Sequence, residues 1–200
     1  LEALEKAVAA DSAGRVAGAQ AAIDFCLQHR GIVSLLLDAR ARGELPLRIT
    51  HNDTKIDNVL FDTDSGEVVC IVDLDTVMPG LVHYDFGDMV RTLTSPTDED
   101  ERDLTKVTMR LEYFEELAKG YFAEASEFLT QADRDYFAIS GKVITLILGI
   151  RFLTDHLNGD TYFRVHRDGQ NLDRARVQFK LVESMLEQEE AMKSFIAALG

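Results

Sequence analysis

The sequence predicts a mainly α-helical fold interrupted by one small β-hairpin. Three observations carry that expectation. Apolar residues recur at helical spacing on both sides of the chain's middle. Thr130-Gln-Ala-Asp133 has the form of a capped helix start and leads into a long apolar-rich stretch. Two short apolar runs between residues 59 and 75 flank a turn cluster.

Taken in order, the opening LEALEKAVAA reads as the middle of a helix, as expected of a fragment or of a chain processed at its N-terminus. Residues 15 to 42 alternate at helical spacing, with Ala17, Ala21, Phe25, Val33, Leu36 and Leu37 as the expected buried face. Gly31 divides that region into two helices, and Gly43 to Pro46 ends it. Leu47 to Thr50 and Val59 to Phe61 then flank a polar loop. The turn cluster DTDSGE at 62–67 joins the second piece to VVCIVDLD at 68–75, which makes a hairpin. From residue 84 the period is helical again. The capped helix beginning after Thr130 should run to about Leu157, with VITLILGI at 143–150 buried inside it. A last helix is expected over 171–187, with Leu172, Ala175, Phe179, Val182 and Leu186 on one face. The whole reads as a single domain: helical over 1–46, loop and hairpin over 47–80, helical over 81–200.

Composition narrows the function. A 46% hydrophobic content over 200 residues builds one core, or one lobe of a larger enzyme. A formal net charge of −14 with no basic stripe argues against a nucleic-acid partner. Cys26 and Cys70 lack the spacing of a zinc site or a disulfide framework. No uninterrupted apolar run reaches membrane-spanning length and no signal peptide is visible, so a cytoplasmic protein without a membrane partner is expected. Oligomeric state leaves no trace in the sequence.

The unusual polar residues gather around the hairpin, in His51-Asn-Asp-Thr-Lys-Ile-Asp-Asn58 before it and in Asp73 and Asp75 after it. Phosphoryl transfer needs a carboxylate to orient and deprotonate an attacking hydroxyl, oxygen ligands for magnesium, and a cation near the transferred group. The pattern H-x-D-x-K-x-x-N supplies Asp53 as base, Lys55 as cation and Asn58 as one magnesium ligand, and the hairpin returns a second carboxylate beside Asn58. A polar turn with side-chain caps would use similar residues, but the eight-residue pattern, the hairpin and the aspartate at its end agree on catalysis.

THNDTKIDNVLFD followed by IVDLDTVMPG resembles the catalytic segment of the aminoglycoside phosphotransferase and choline kinase superfamily, relatives of the protein kinases. The resemblance implies the C-terminal lobe of a protein-kinase-like (α+β) fold, ATP and Mg as cofactors, Asp53 as catalytic base, and Asn58 and Asp73 as magnesium ligands with Asp75 beside them. His51 is implied to organise the loop. Within VHYDFGD at 82–88 the letters DFG spell the magnesium triplet of protein kinases. Asp73 follows the hairpin directly, whereas Asp85 lies beyond Pro79-Gly80 and opens a helix. The resemblance therefore gives the metal to Asp73 and makes Asp85 a support of the catalytic loop.

LRITHNDTKIDNVLFD, DLDTVMPGLVHYDFGD, GIRFLTDHLNGDTYF and NLDRARVQFKLVESM are similar to the bacterial N-acetylhexosamine 1-kinase branch, although Lys55 departs from the HGD-type aminoglycoside enzymes. By spacing alone, Arg151 and Asp155 describe a surface ion pair as well as a sugar contact, and Tyr162 a core residue. With the resemblance, Arg151, Tyr162 and Asp155 become candidate substrate-binding residues for a small-molecule sugar acceptor, in a helical acceptor-binding part over 81–200. Asn171, Arg174 and Arg176 open the last helix, where they face either an anion or solvent.

A kinase-like enzyme also needs a lysine on an N-terminal sheet, its glutamate partner and a phosphate-covering loop, and residues 1–46 contain no strand pattern or glycine-rich loop to provide them. The expectation is a lobe that lacks the nucleotide lobe and is inactive alone. Two rivals stand beside the sugar kinase. One is a kinase of an amino alcohol or aminoglycoside, with Asp155 and Asp160 building an acidic pocket; the other is a non-catalytic binding lobe. A sulfatase is excluded, because no C/S-x-P-x-R motif is present.

Overall fold

The computed structural model describes residues 1–199. Among the described residues, eight α-helices and two two-stranded antiparallel sheets form the structure, with one long helix at its centre. The helices are α1 Glu2–Ala10, α2 Val16–Gln28, α3 Leu35–Ala41, α4 Val82–Thr94, α5 Leu111–Ala125, α6 Gln131–Leu157, α7 Gln170–Glu187 and α8 Glu189–Ala198. Between α3 and α4 lie the strands β1 Arg48–Thr50, β2 Val59–Phe61, β3 Val68–Ile71 and β4 Met78–Gly80. The mostly helical chain with one β2–β3 hairpin is the architecture its sequence predicts.

Helix α6 begins where the sequence places its cap. Thr130 accepts from the Asp133 amide, and Asp133 accepts in return from the Thr130 amide at 2.8 Å, so two backbone donors that the helix leaves free are satisfied. The helix is long and apolar enough to cross a membrane, but 67% of its most apolar window is buried inside the protein. Its main neighbours are α7 and α4. Gly87 and Gly149 permit these approaches: a Cβ on Gly87 would meet the Ser140 carbonyl of α6 at 2.6 Å, and one on Gly149 would meet the Phe179 ring of α7 at 2.5 Å.

Three buried clusters result. Phe86, Phe114, Phe122 and Phe137 interlock edge-to-face between α4, α5 and α6. Leu4, Ile23, Cys26, Leu153 and Val182 join α1 and α2 to α6 and α7. Leu36, Leu45, Leu81 and Val143 seal the passage into the strands.

Two sequence expectations need correction. Ala17, Ala21 and Leu37 are exposed, and α2 buries Ala19, Ala22, Ile23 and Cys26 instead. Alanine fits either side of a helix and carries no phase; the bulkier Ile23 and Cys26 set it. The residues around 47–50 and 78–80 are not bare loop but a second sheet, with Arg48 opposite Gly80 and Thr50 opposite Met78. Three-residue strands separated by a hairpin leave no readable alternation.

Arg48 ties that sheet to the helices. Its guanidinium donates to Asp133 at 2.8 and 3.2 Å, and the His83 ring of α4 bonds the Asp133 carbonyl at 2.8 Å. Burial alone would raise the Asp133 carboxyl; the bonds from Arg48 and Thr130 outweigh it and hold the group below its usual value. Because the folded value is depressed, the stabilisation is complete above the unfolded value and disappears as pH falls through the folded one. Asp133→Ala should cost about 3 kcal/mol and lower the thermal midpoint by roughly 10 °C. In calorimetry the gap between the two proteins should narrow below about pH 4.

Candidate active site

The segment from His51 to Asn58 has no regular ladder and is held by side chains. The Asp85 carboxylate, in the first turn of α4, accepts the amide of His51 at 2.8 Å and that of Asn52 at 2.7 Å. Thr54 Oγ1 donates to the Asp85 carbonyl at 2.7 Å, and Thr76 Oγ1 donates to the His51 carbonyl at 2.7 Å. Asn52 sits in the left-handed region at φ 66°, a conformation asparagine tolerates, and its side-chain amide bonds the carbonyls of Thr50 and Thr76. Burial pushes the Asp85 carboxyl up, while the two amide bonds pull the other way.

Asp53, Lys55 and Asn58 meet at one point. Lys55 Nζ donates to Asp53 Oδ2 at 2.8 Å, and Asn58 Nδ2 donates to the same oxygen at 2.9 Å and to the Asp53 carbonyl at 2.8 Å. Burial works to raise the Asp53 carboxyl, but these bonds prevail and keep it below the ordinary carboxylate value. The bond to Asp53 raises the Lys55 ammonium, helped by the charges of Asp73 and Asp57. At neutral pH the pair is a carboxylate beside an ammonium.

The hairpin delivers Asp73 to the same place. The Val72 amide donates to the Asn58 carbonyl at 2.9 Å, and His51 Nε2 bonds the Val72 carbonyl at 3.0 Å. That second bond requires the His51 proton on Nε2. Val72 is thus clamped on both sides, and Asp73 follows at φ 65°, a left-handed conformation that a non-glycine residue adopts at a cost of about 1–3 kcal/mol. Asp73 and Asp75 are exposed, and neither carboxylate has a hydrogen-bond or ion-pair partner among the described residues. No group of three His, Cys, Asp or Glu side chains able to hold a metal occurs among the described residues. The donors present are an amide oxygen and free carboxylates. They fit a hard cation such as magnesium, which takes one or two protein ligands and completes its shell with water and phosphate.

Asp53 and Lys55 open onto a cleft of about 660 Å³. Its other walls are the end of α4 and the loop after it (Arg91, Asp98, Glu99), α6 (Leu148, Arg151, Phe152) and α7 (Arg174, Gln178, Leu181). Arg91 is held by Asp88 at 2.9 Å and Glu99 at 3.2 Å. Sequence reasoning missed this network and Gln178. Glu99 lies in the loop after α4, and only the fold turns it towards Arg91 and Arg174.

Arg151 and Tyr162 are brought together, with Arg151 Nη2 3.4 Å from Tyr162 Oη and its guanidinium over the rings of Tyr162 and Phe163. Arg151 borders both the Asp53 cleft and a second one of about 390 Å³, which Tyr162 also lines.

Asp155 is the corrected residue. It is buried and forms no ion pair with Arg151; its carboxylate accepts the amides of Thr161, Tyr162 and Phe163 at 2.8–2.9 Å and the side-chain amide of Asn171 at 2.9 Å. With its lone pairs spent on shaping the 161–163 turn, it has little left for a sugar hydroxyl. Asp160 is likewise engaged, by Arg15 at 2.5 Å and Asn171 at 2.9 Å, so these two aspartates do not form a free acidic pocket.

Asp85→Asn, which removes one acceptor oxygen at nearly constant size, should speed amide exchange at His51 and Asn52 by about tenfold or more and leave the interior of α6 unchanged. Equal protection in both proteins would show that the loop is held by something else. The sequence matches the model of the Phosphotransferase enzyme family over residues 2–130, well over half of the chain, a span that includes Asp53, Lys55, Asn58, Asp73, Asp75 and Asp85.

Proposed function

This chain belongs to the phosphotransferase enzyme family, and we propose that within it the chain is the acceptor-binding, C-terminal lobe of a cytoplasmic kinase that phosphorylates the anomeric hydroxyl of an N-acetylhexosamine. The observation that carries the reading is the convergence of Asp53, Lys55 and Asn58 on one oxygen beside the cleft. Asp53, kept ionised and pinned by two donors, accepts the proton of a hydroxyl presented from the cleft. Its bonds to Lys55 and Asn58 fix the carboxylate before any acceptor arrives, so no reorganisation is needed at the moment of transfer. Lys55 stands where negative charge accumulates on a transferred phosphoryl group. Asn58, Asp73 and Asp75 are the residues that would hold magnesium, which when bound neutralises the phosphates of ATP. Arg151 and Tyr162, joined at the cleft border, supply directional donors and an aromatic face for the sugar.

The sugar assignment is supported by the likeness of the Arg151 and Tyr162 segment to N-acetylhexosamine kinases, and by the commitment of Asp155 and Asp160 to structural bonds, which leaves neither carboxylate free to meet a cationic acceptor. An apolar surface is open to a nucleotide lobe. Val68, Val69 and Ile71 of β3 and Leu74 just after it are all more than half exposed, and Leu60 and Phe61 of β2 are nearly as open. So apolar a hairpin is the kind of surface a partner lobe covers.

The 200-residue chain alone should bind MgATP weakly and show negligible turnover in a coupled ADP-release assay with N-acetylhexosamine. Joined to a nucleotide-holding lobe it should turn over, and Asp53→Asn should then reduce kcat by about 10²–10⁴-fold. Activity that survives this substitution would remove the base assignment. A preference for choline or an aminoglycoside in the same assay would replace the acceptor.

A further inference from the structure

The connection from α6 to α7, residues 158–169, contains neither helix nor strand. It nevertheless carries Phe163 and Arg164 into the wall of the Asp53 cleft and Tyr162 into that of its neighbour. A segment without a ladder keeps one conformation only where side chains take up its backbone groups. Asp155 does so at the near end, for the amides of Thr161, Tyr162 and Phe163. At the far end the bonds come from the loop between α4 and α5. The Asp100 carboxylate accepts from Arg167 Nη2 at 3.1 Å and from Gln170 Nε2 at 2.9 Å, and its carbonyl accepts from Arg167 at 3.3 Å. Gln170, oriented by that bond, accepts the His166 amide on its Oε1 at 2.7 Å.

Glu99 grips the same connection by a second route. Its carboxylate lies 3.2 Å from Arg91 Nη1 of α4 and 3.5 Å from Arg174 Nε of α7. Arg174 Nη1 donates to the Arg164 carbonyl and to Asn171 Oδ1, both at 3.0 Å, and Asn171 donates to Asp155 at 2.9 Å. Polar contacts thus lead without a break from Glu99 to the carboxylate that shapes the 161–163 turn. Glu99 lines the Asp53 cleft, whereas Asp100, Arg167 and Gln170 stand behind its wall. The Arg167 and Asp100 side chains are 35% and 31% exposed, so salt reaches this pair as it would not reach an apolar contact.

We propose that Asp100, held by Arg167 and Gln170, is a positioning residue for the acceptor: it fixes the wall formed by residues 161–166 from outside the cleft and so sets acceptor affinity without touching the acceptor. This rests on the reading that Arg151 and Tyr162 meet a sugar. The family match ends at residue 130, so it includes Asp100 but neither of the residues that hold it.

Binding to the 200-residue chain tests it without turnover. N-acetyl-D-glucosamine is titrated by ligand-observed NMR against the wild type, Asp100→Ala, Arg167→Ala and the double variant, at ionic strengths of about 0.05 and 0.5 M. Amide exchange is followed in the same proteins. Each single variant should bind about three- to fivefold more weakly at low salt. The double variant should be little weaker than either, because both changes remove one contact. The sugar carries no charge to screen, so added salt should weaken its binding to the wild type and leave Asp100→Ala nearly unchanged. In Asp100→Ala the His166 amide should exchange about tenfold faster, while the interior of α6 keeps its rates. If the sugar binds the wild type and both single variants equally well, Asp100 is merely structural; the positioning role is then wrong and the sugar reading stands. Losses that simply add in the double variant would also refute it. If the wild type does not bind the sugar, the acceptor reading fails and the positioning role with it.

Discussion

The loop from His51 to Asn58 hangs from the carboxylate of Asp85. Asp85 accepts two consecutive backbone amides, those of His51 and Asn52, and thereby fastens an irregular loop to the start of α4. An eight-residue segment without a ladder would otherwise lose its backbone bonds to water and pay the entropy of order with nothing in return. Burial raises the Asp85 carboxyl, and the two amide bonds offset much of that penalty. The anchor is only as firm as α4, which Gly87 allows to press on the backbone of α6 and whose Phe86 fills the aromatic core. Helix α6 in turn is fixed at its start by the Thr130–Asp133 box and by Arg48 from β1. The path from core to site is continuous: capped helix, close helix pair, carboxylate brace, loop.

The loop then positions the hairpin, and the hairpin positions Asp73. Val72 is held through its amide by Asn58 and through its carbonyl by His51, which leaves Asp73 no room to relax from its left-handed backbone. One clamp thus sets the spacing between the oxygen of Asn58 and the carboxylate of Asp73. His51, which the sequence reading makes an organiser of the loop, and Asn58 are the parts that set this geometry.

How much of this is legible in the sequence depends on the scale of the feature. The capping box, the long helix and the hairpin turn are local patterns with strong chemistry, and they read directly. The octet from His51 to Asn58 reads as a unit because its spacing and the following hairpin agree. Features that depend on distance in space do not read. The β1–β4 sheet joins pieces too short to alternate, and α2 carries alanines that leave its phase open. Asp155 shows only a helical spacing to Arg151, and nothing local announces that it will collect three amides from the turn beyond its own helix. Gln178 carries no signal at all, since only the fold shows its side-chain oxygen buried without a partner.

The letters DFG at residues 85–87 show the same division between spelling and geometry. Asp85 is turned to the backbone of His51 and Asn52, while Asp73 stands unpaired at the end of the hairpin. The most direct test of the account is a crystal structure with magnesium and an ATP analogue, obtained with the nucleotide-holding lobe in place. The account predicts the cation on Asn58 and Asp73, with Asp53 facing the cleft within hydrogen-bond reach of the acceptor hydroxyl. A cation on Asp85, with Asp73 left in solvent, would contradict it.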